Sequence, residues 1–175
     1  MEKIFNISNS LSFFRLLLSV PLIFFLMNDD VFAVLILLIL AYISDLLDGF
    51  FARKLNQITE IGKIIDPLAD KIFVSVLVII LMIKGYIPFW FFIIVLLRDI
   101  LILLGGLYIS SKQKKVPASN IYGKITVFII GLTLLLSYLK IFSSSIMLYC
   151  YILASIGIVI SFTVYFKNFI VIIKK

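Results

Sequence analysis

The chain has 175 residues, of which 63% are hydrophobic and only 14% charged, with a mean hydropathy of +1.25 and a formal net charge of +7. A soluble domain carries roughly 25% charged residues, so this composition excludes one and describes an integral membrane protein. Histidine is absent and Cys150 is the single cysteine, which excludes a His-based catalytic pair, a zinc site built on histidine and an intrachain disulfide.

Apolar runs of about 20 residues, the length that crosses a bilayer, follow one another along the chain. The N-terminal stretch MEKIFNISNSLSFFRLLLSVPLIFFLM lacks a small-residue cleavage site and its apolar part is too long for a signal peptide. It reads as a short interfacial lead-in followed by a first membrane helix. The predicted spans run from Leu11 to Met27, Val31 to Phe51, Ile64 to Ile83, Pro88 to Ile109, Ile121 to Leu139 and Ile146 to Phe166. The third is a span only if its aspartates belong to the helix. The expected fold is an all-α, six-transmembrane-helix bundle forming a single domain over residues 1–175.

The connecting segments alternate in charge. Arg53, Lys54 and Lys63 follow the second span, Lys112, Lys114 and Lys115 follow the fourth, and Lys167, Lys174 and Lys175 lie in the tail. Asp29 and Asp30, Lys84, and Lys140 lie on the other side. The positive-inside rule therefore predicts that both termini are cytoplasmic. The net positive charge suits an anionic lipid surface and acidic substrates and requires no nucleic acid.

Against this apolar background stand four aspartates, Asp45, Asp48, Asp66 and Asp70, out of nine acidic residues in all. Each charge at membrane depth costs roughly 2.5–3.5 kcal/mol on insertion scales, so such residues mark function by default. Asp45 and Asp48 are three apart, and Asp66 and Asp70 four apart, which places each pair on one helix face. Two antiparallel helices can then aim four carboxylates at one cavity at the cytoplasmic border. Oxygen-only donors select hard cations, so Mg²⁺ or Mn²⁺ is expected, with Ca²⁺ a competitor. Gly49, Ala52 and Gly62 leave room for close approach, and Arg53 offers a fork suited to phosphate oxygens. Simpler roles exist for each: a helix cap for Asp66 ahead of Pro67, a membrane anchor for Arg53, packing for Gly49 and Ala52. An ion or proton pathway is the rival that also buries carboxylates, although no span has the paired Gly/Pro interruptions of transporter repeats.

The complete string Asp45-x2-Asp48-Gly49-x2-Ala52-Arg53-x8-Gly62-x3-Asp66-x3-Asp70 resembles the signature of the CDP-alcohol phosphatidyltransferases at all eight fixed positions. The likeness extends to Asn9-x-Leu11-Ser12-x2-Arg15, to DPLADK from Asp66 to Lys71, to Arg98-Asp99 and to Gly123-Lys124. It implies a six-helix, commonly dimeric enzyme of phospholipid biosynthesis in the cell inner or plasma membrane, with its site facing the cytoplasm. It implies CDP-diacylglycerol as donor, Asp45, Asp48, Asp66 and Asp70 as metal ligands, and Asp70 as general base. Asp45, Asp48, Gly49, Ala52, Arg53, Gly62 and Asp66 would bind the CDP group. With no histidine, a carboxylate is also the most economical base on chemical grounds.

The acceptor is a separate question. The N-terminal segment and DPLADK resemble the members that use glycerol 3-phosphate, the phosphatidylglycerophosphate synthases, and Arg98 and Lys124 match their acceptor-phosphate residues. Those enzymes usually carry another arginine where this chain has Gly106, beside Gly105. The SDLLDGFFAR wording and the arginine-poor fourth helix resemble cardiolipin synthases, whose acceptor is phosphatidylglycerol, and a glycine-lined surface would admit its chains. Inositol phosphate and serine are further alternatives. Arg98 also has a simpler reading as the partner of Asp99 or a snorkelling side chain, and Lys124 as a cytoplasmic anchor.

Overall fold

A computed structural model describes residues 7–54, 62–113 and 121–173. The described residues form six α-helices: α1 (Ile7–Met27), α2 (Val31–Lys54), α3 (Gly62–Ile83), α4 (Phe89–Gln113), α5 (Ile121–Leu139) and α6 (Ser144–Ile173). All six expected helices are present, most of them longer at one or both ends than the apolar runs that predicted them. Five are long and apolar enough to cross a membrane. The sixth, α3, begins with GKIIDPLADK, so charge fills its first turns and its purely apolar part is short. Because α3 starts at Gly62, Asp66 and Pro67 lie inside the helix, and the reading of Asp66 as a helix cap is excluded. The capping aspartate is Asp30, whose Oδ1 accepts a 3.0 Å hydrogen bond from the Ala33 amide at the start of α2.

Contacts group the chain into two compact units, Met1–Lys84 and Gly85–Lys175. In the first, α1 packs against both α2 and α3. Its inward stripe is Ser12, Arg15, Ser19, Leu22 and Leu26, while Phe13, Leu17, Val20 and Phe24 face outward. On α2 the buried residues are Val34, Leu37, Ala41, Ser44 and Asp48, an alternating three-and-four spacing that keeps one face against α1. Among the described side chains that stripe includes a carboxylate, Asp48. At the opposite end of the unit, Lys84 Nζ donates 3.0 Å hydrogen bonds to the Leu26 and Met27 carbonyls and pairs with Asp29 at 2.6 Å. A cation on the last carbonyls of α1 complements the helix dipole and ties the ends of α1 and α3 together.

In the second unit α6 packs against both α4 and α5. Its buried residues Met147, Tyr151, Ala154, Ile158 and Ser161 repeat the same spacing. Small residues let the helices approach. Thr126 donates to the Gly157 carbonyl at 3.0 Å, and a Cβ at Gly157 would meet Thr126 Oγ1 at 3.5 Å. Ser137 and Tyr151 share a 2.9 Å hydrogen bond, and the Tyr151 hydroxyl also donates to the Tyr86 carbonyl at 3.0 Å. These hydroxyls among apolar helices are thus paired within the unit, as a medium without water demands.

Candidate active site

The inward stripe of α2 explains why two aspartates three residues apart differ in environment. Asp48 continues the Val34–Ser44 stripe and is 3% exposed, whereas Asp45 lies at the margin of that face with its side chain 48% exposed. Asp70, on α3, is 43% exposed. All three meet at one group that the spacing argument did not assign: the guanidinium of Arg15 on α1. Arg15 is 2% exposed. Its Nη1 pairs with Asp45 Oδ1 at 3.3 Å and with Asp70 Oδ1, and its Nη2 lies 3.6 Å from Asp48 Oδ2.

Two serines complete the arrangement. Ser12, one turn before Arg15, donates to Asp48 Oδ2 at 2.8 Å. Ser44 donates to the Ala41 carbonyl at 2.8 Å, which leaves its oxygen to accept from Arg15 Nε at 3.4 Å. Asn9, Ser12 and Arg15 follow one another at three-residue intervals and all three are buried. The expected pair of aspartate-bearing helices is therefore a three-helix arrangement in which α1 supplies a central cation. The signal was present in the sequence as a lone arginine on the first apolar helix. A charge there, like the aspartates, marks function by default.

The side chains of Ala52, Arg53 and Asp66 and the surroundings of Gly62 lie outside the described residues, although all four positions are in helices. Gly49 is partly buried one residue past Asp48. Among the described residues no three acidic side chains form a ready-made metal cage. The donor chemistry nevertheless fits a hard divalent cation, because three carboxylates from two helices already gather around one positive group and two of them are half exposed.

The candidate acceptor residues belong to the second unit. Arg98 is buried on α4 and its Nη1 donates to Asp99 Oδ1 at 2.6 Å, the simpler partner considered above. Its Nε, also buried, makes no hydrogen bond among the described residues, so the guanidinium keeps donor capacity for a ligand. Lys124 is exposed on α5. The glycine pair is not an open surface. A Cβ at Gly105 would lie 3.0 Å from the Tyr165 hydroxyl, which itself donates to the Ile102 carbonyl at 3.3 Å, and one at Gly106 would lie 3.9 Å away. The expectation that this surface admits lipid chains is corrected at Gly105, where an α6 side chain fills the space. Gly105→Val should consequently destabilise the protein by about 1–3 kcal/mol through overpacking. A thermal melt checks this, and adding Tyr165→Ala should recover much of the loss.

Known proteins of two kinds resemble the chain. It is 42% identical over 132 residues to the CDP-diacylglycerol--glycerol-3-phosphate 3-phosphatidyltransferase of Aquifex aeolicus (strain VF5), covering 74% of each chain. It is 41% identical over 90 residues to the protein of that description from Bacillus subtilis (strain 168), covering 51% of this chain and 46% of that one. Similarity to a cardiolipin synthase (CMP-forming) of Rattus norvegicus is lower, 33% over 117 residues, covering 66% of this chain and 39% of that one. The profile of the CDP-alcohol phosphatidyltransferases matches residues 5–164, a stretch that contains Arg15, the aspartates and both acceptor candidates. The chain therefore belongs to the CDP-alcohol phosphatidyltransferase family.

Proposed function

We propose that the chain transfers the phosphatidyl group of CDP-diacylglycerol to glycerol 3-phosphate, releasing CMP. The observation that carries this reading is the convergence of Asp45, Asp48 and Asp70 on one side of the first unit, in a chain similar to proteins described by that activity. The single catalytic domain spans residues 1–175, crosses the membrane six times with both termini cytoplasmic, and works as a homodimer.

The acceptor hydroxyl attacks the lipid-side phosphorus, its oxygen forms the new P–O bond, and the bond to the CMP oxygen breaks. Asp70 takes the hydroxyl proton, and CMP leaves with the electron pair of the broken bond. Asp45, Asp48, Asp66 and Asp70 would hold a divalent cation, which would supply Lewis-acid neutralisation of the pyrophosphate. Gly49, Ala52 and Gly62 allow the nucleotide to approach, and Arg53 binds its phosphate oxygens. Arg98 and Lys124 bind the phosphate of the acceptor. Because little covalent work falls to the protein in phosphoryl transfer, positioning and charge neutralisation dominate.

The test is an assay of purified protein in liposomes containing CDP-diacylglycerol and Mg²⁺ or Mn²⁺, with glycerol 3-phosphate and phosphatidylglycerol offered separately. The expected result is CMP formed only with glycerol 3-phosphate and a product bearing a phosphate monoester. Cardiolipin formed from phosphatidylglycerol would replace the acceptor assignment. Movement of metal or protons across the bilayer with no CMP formed would replace the enzyme by a transporter.

A further inference from the structure

Arg15 has the environment of a functional group and not of an anchor. A basic residue that anchors a membrane helix snorkels towards the interface and keeps its head wet. Arg15 does neither: it is 2% exposed, and a guanidinium that deep is tolerated only when paired and hydrogen-bonded. Its pairing reaches three carboxylates on two other helices, with Ser44 at its Nε and Ser12 holding Asp48. Ser44 orients the guanidinium through Nε, and Ser12 orients the carboxylate that faces it. Arginine suits the position because its planar fork meets several carboxylates at once, which a lysine point charge cannot do.

We propose that Arg15 is a positioning residue that acts as a resident counter-cation: it holds Asp45, Asp48 and Asp70 together and lowers the affinity of that cluster for a divalent ion. The inference rests on the metal reading given above. One fixed positive charge among the carboxylates supplies part of the neutralisation that the cluster requires. It also repels any second cation brought to the same oxygens. A metal ion alone thus gains less from this cluster than from bare aspartates. A nucleotide pyrophosphate brings negative charge of its own and restores the balance, so ion and nucleotide bind more tightly together than separately, with reciprocal coupling. The half-exposed carboxylates of Asp45 and Asp70 are where such an ion can reach the cluster, and Arg15 and Ser12 hold buried Asp48 beside them.

The experiment is a Mn²⁺ titration of the full-length protein in detergent, following free Mn²⁺ by electron paramagnetic resonance, with and without CDP. Arg15→Met should bind Mn²⁺ about tenfold more tightly than wild type without CDP, since a short-range like charge is removed, and CDP should enhance its binding less. Arg15→Lys keeps the charge and should stay near the wild-type affinity without CDP. If Arg15→Met does not fold, Arg15→Gln, which retains a hydrogen-bond donor, carries the same expectation. A neutral variant that binds Mn²⁺ no more tightly than wild type would overturn the proposal, as would Arg15→Lys binding as tightly as the neutral variant. A merely structural arginine would give weaker or unchanged binding when removed. Absence of Mn²⁺ binding by wild type with CDP present would overturn the metal reading itself. Normal wild-type binding with an unmoved neutral variant would overturn only the role of Arg15.

Discussion

Asparagine in place of Asp70 should lower CMP formation by about 10²–10⁴-fold, the range that general-base catalysis contributes, while the protein remains folded. The substitution is nearly isosteric and removes the charge and the basic oxygen. Asp70 is 43% exposed, so the amide is solvated at modest expense. Arg15 keeps Asp45 and Asp48 as partners, so no buried charge is stranded. Asp70 is assigned both to the metal and to the proton, and the two roles separate by titration. If Asp70 serves only the metal, excess Mn²⁺ should restore the rate as the weakened site fills. If it accepts the proton, the rate at saturating Mn²⁺ should stay low. Full activity of Asp70→Asn at ordinary metal concentrations would remove it from both roles.

Asp48→Ala should abolish activity and also destabilise the fold, unlike the change at Asp70. Asp48 is 3% exposed, accepts the Ser12 hydroxyl at 2.8 Å and lies 3.6 Å from Arg15. Breaking a buried ion pair from one side costs about 3–5 kcal/mol, because the remaining charge stays desolvated. The lower end, about 3 kcal/mol, applies because Arg15 retains Asp45 and Asp70. The melting temperature should fall on the order of 10 °C for a chain of this size. Asp48→Asn, which keeps an acceptor for Ser12, should lose activity with a smaller fall. An unchanged melting temperature in Asp48→Ala would mean that Asp48 is a ligand only and that the pair with Arg15 is not part of what holds α1 to α2.

The difference between these two carboxylates could not be read from their spacing. Asp45 and Asp48 share a side of α2, and the three-residue interval supports no more than that. Which of them is buried depends on how α2 is rotated against α1. The stripe that settles it, Val34 to Asp48, is visible only once the buried residues are known. The glycine pair carries the same lesson. Gly105 and Gly106 invite the reading of an open groove, yet Tyr165, sixty residues later by the sequence and on a different helix, fills the space above Gly105.

The membrane class, the six helices and the family motif were legible in the chain alone, because each rests on local information. Apolar runs of bilayer length need no partner to be recognised, and aspartates fixed at short intervals define helix faces whatever surrounds them. Long-range packing was needed to show that α1 lies against both aspartate-bearing helices and places Arg15 among Asp45, Asp48 and Asp70. Large apolar side chains cover the outward faces of these helices as well as much of their buried faces. Hydrophobic patterning, which orients a helix in water, gives little direction in lipid, so the rotation that joins Ser12 to Asp48 and Arg15 to Ser44 is set by packing and by the pairing of a few polar groups far apart in the chain.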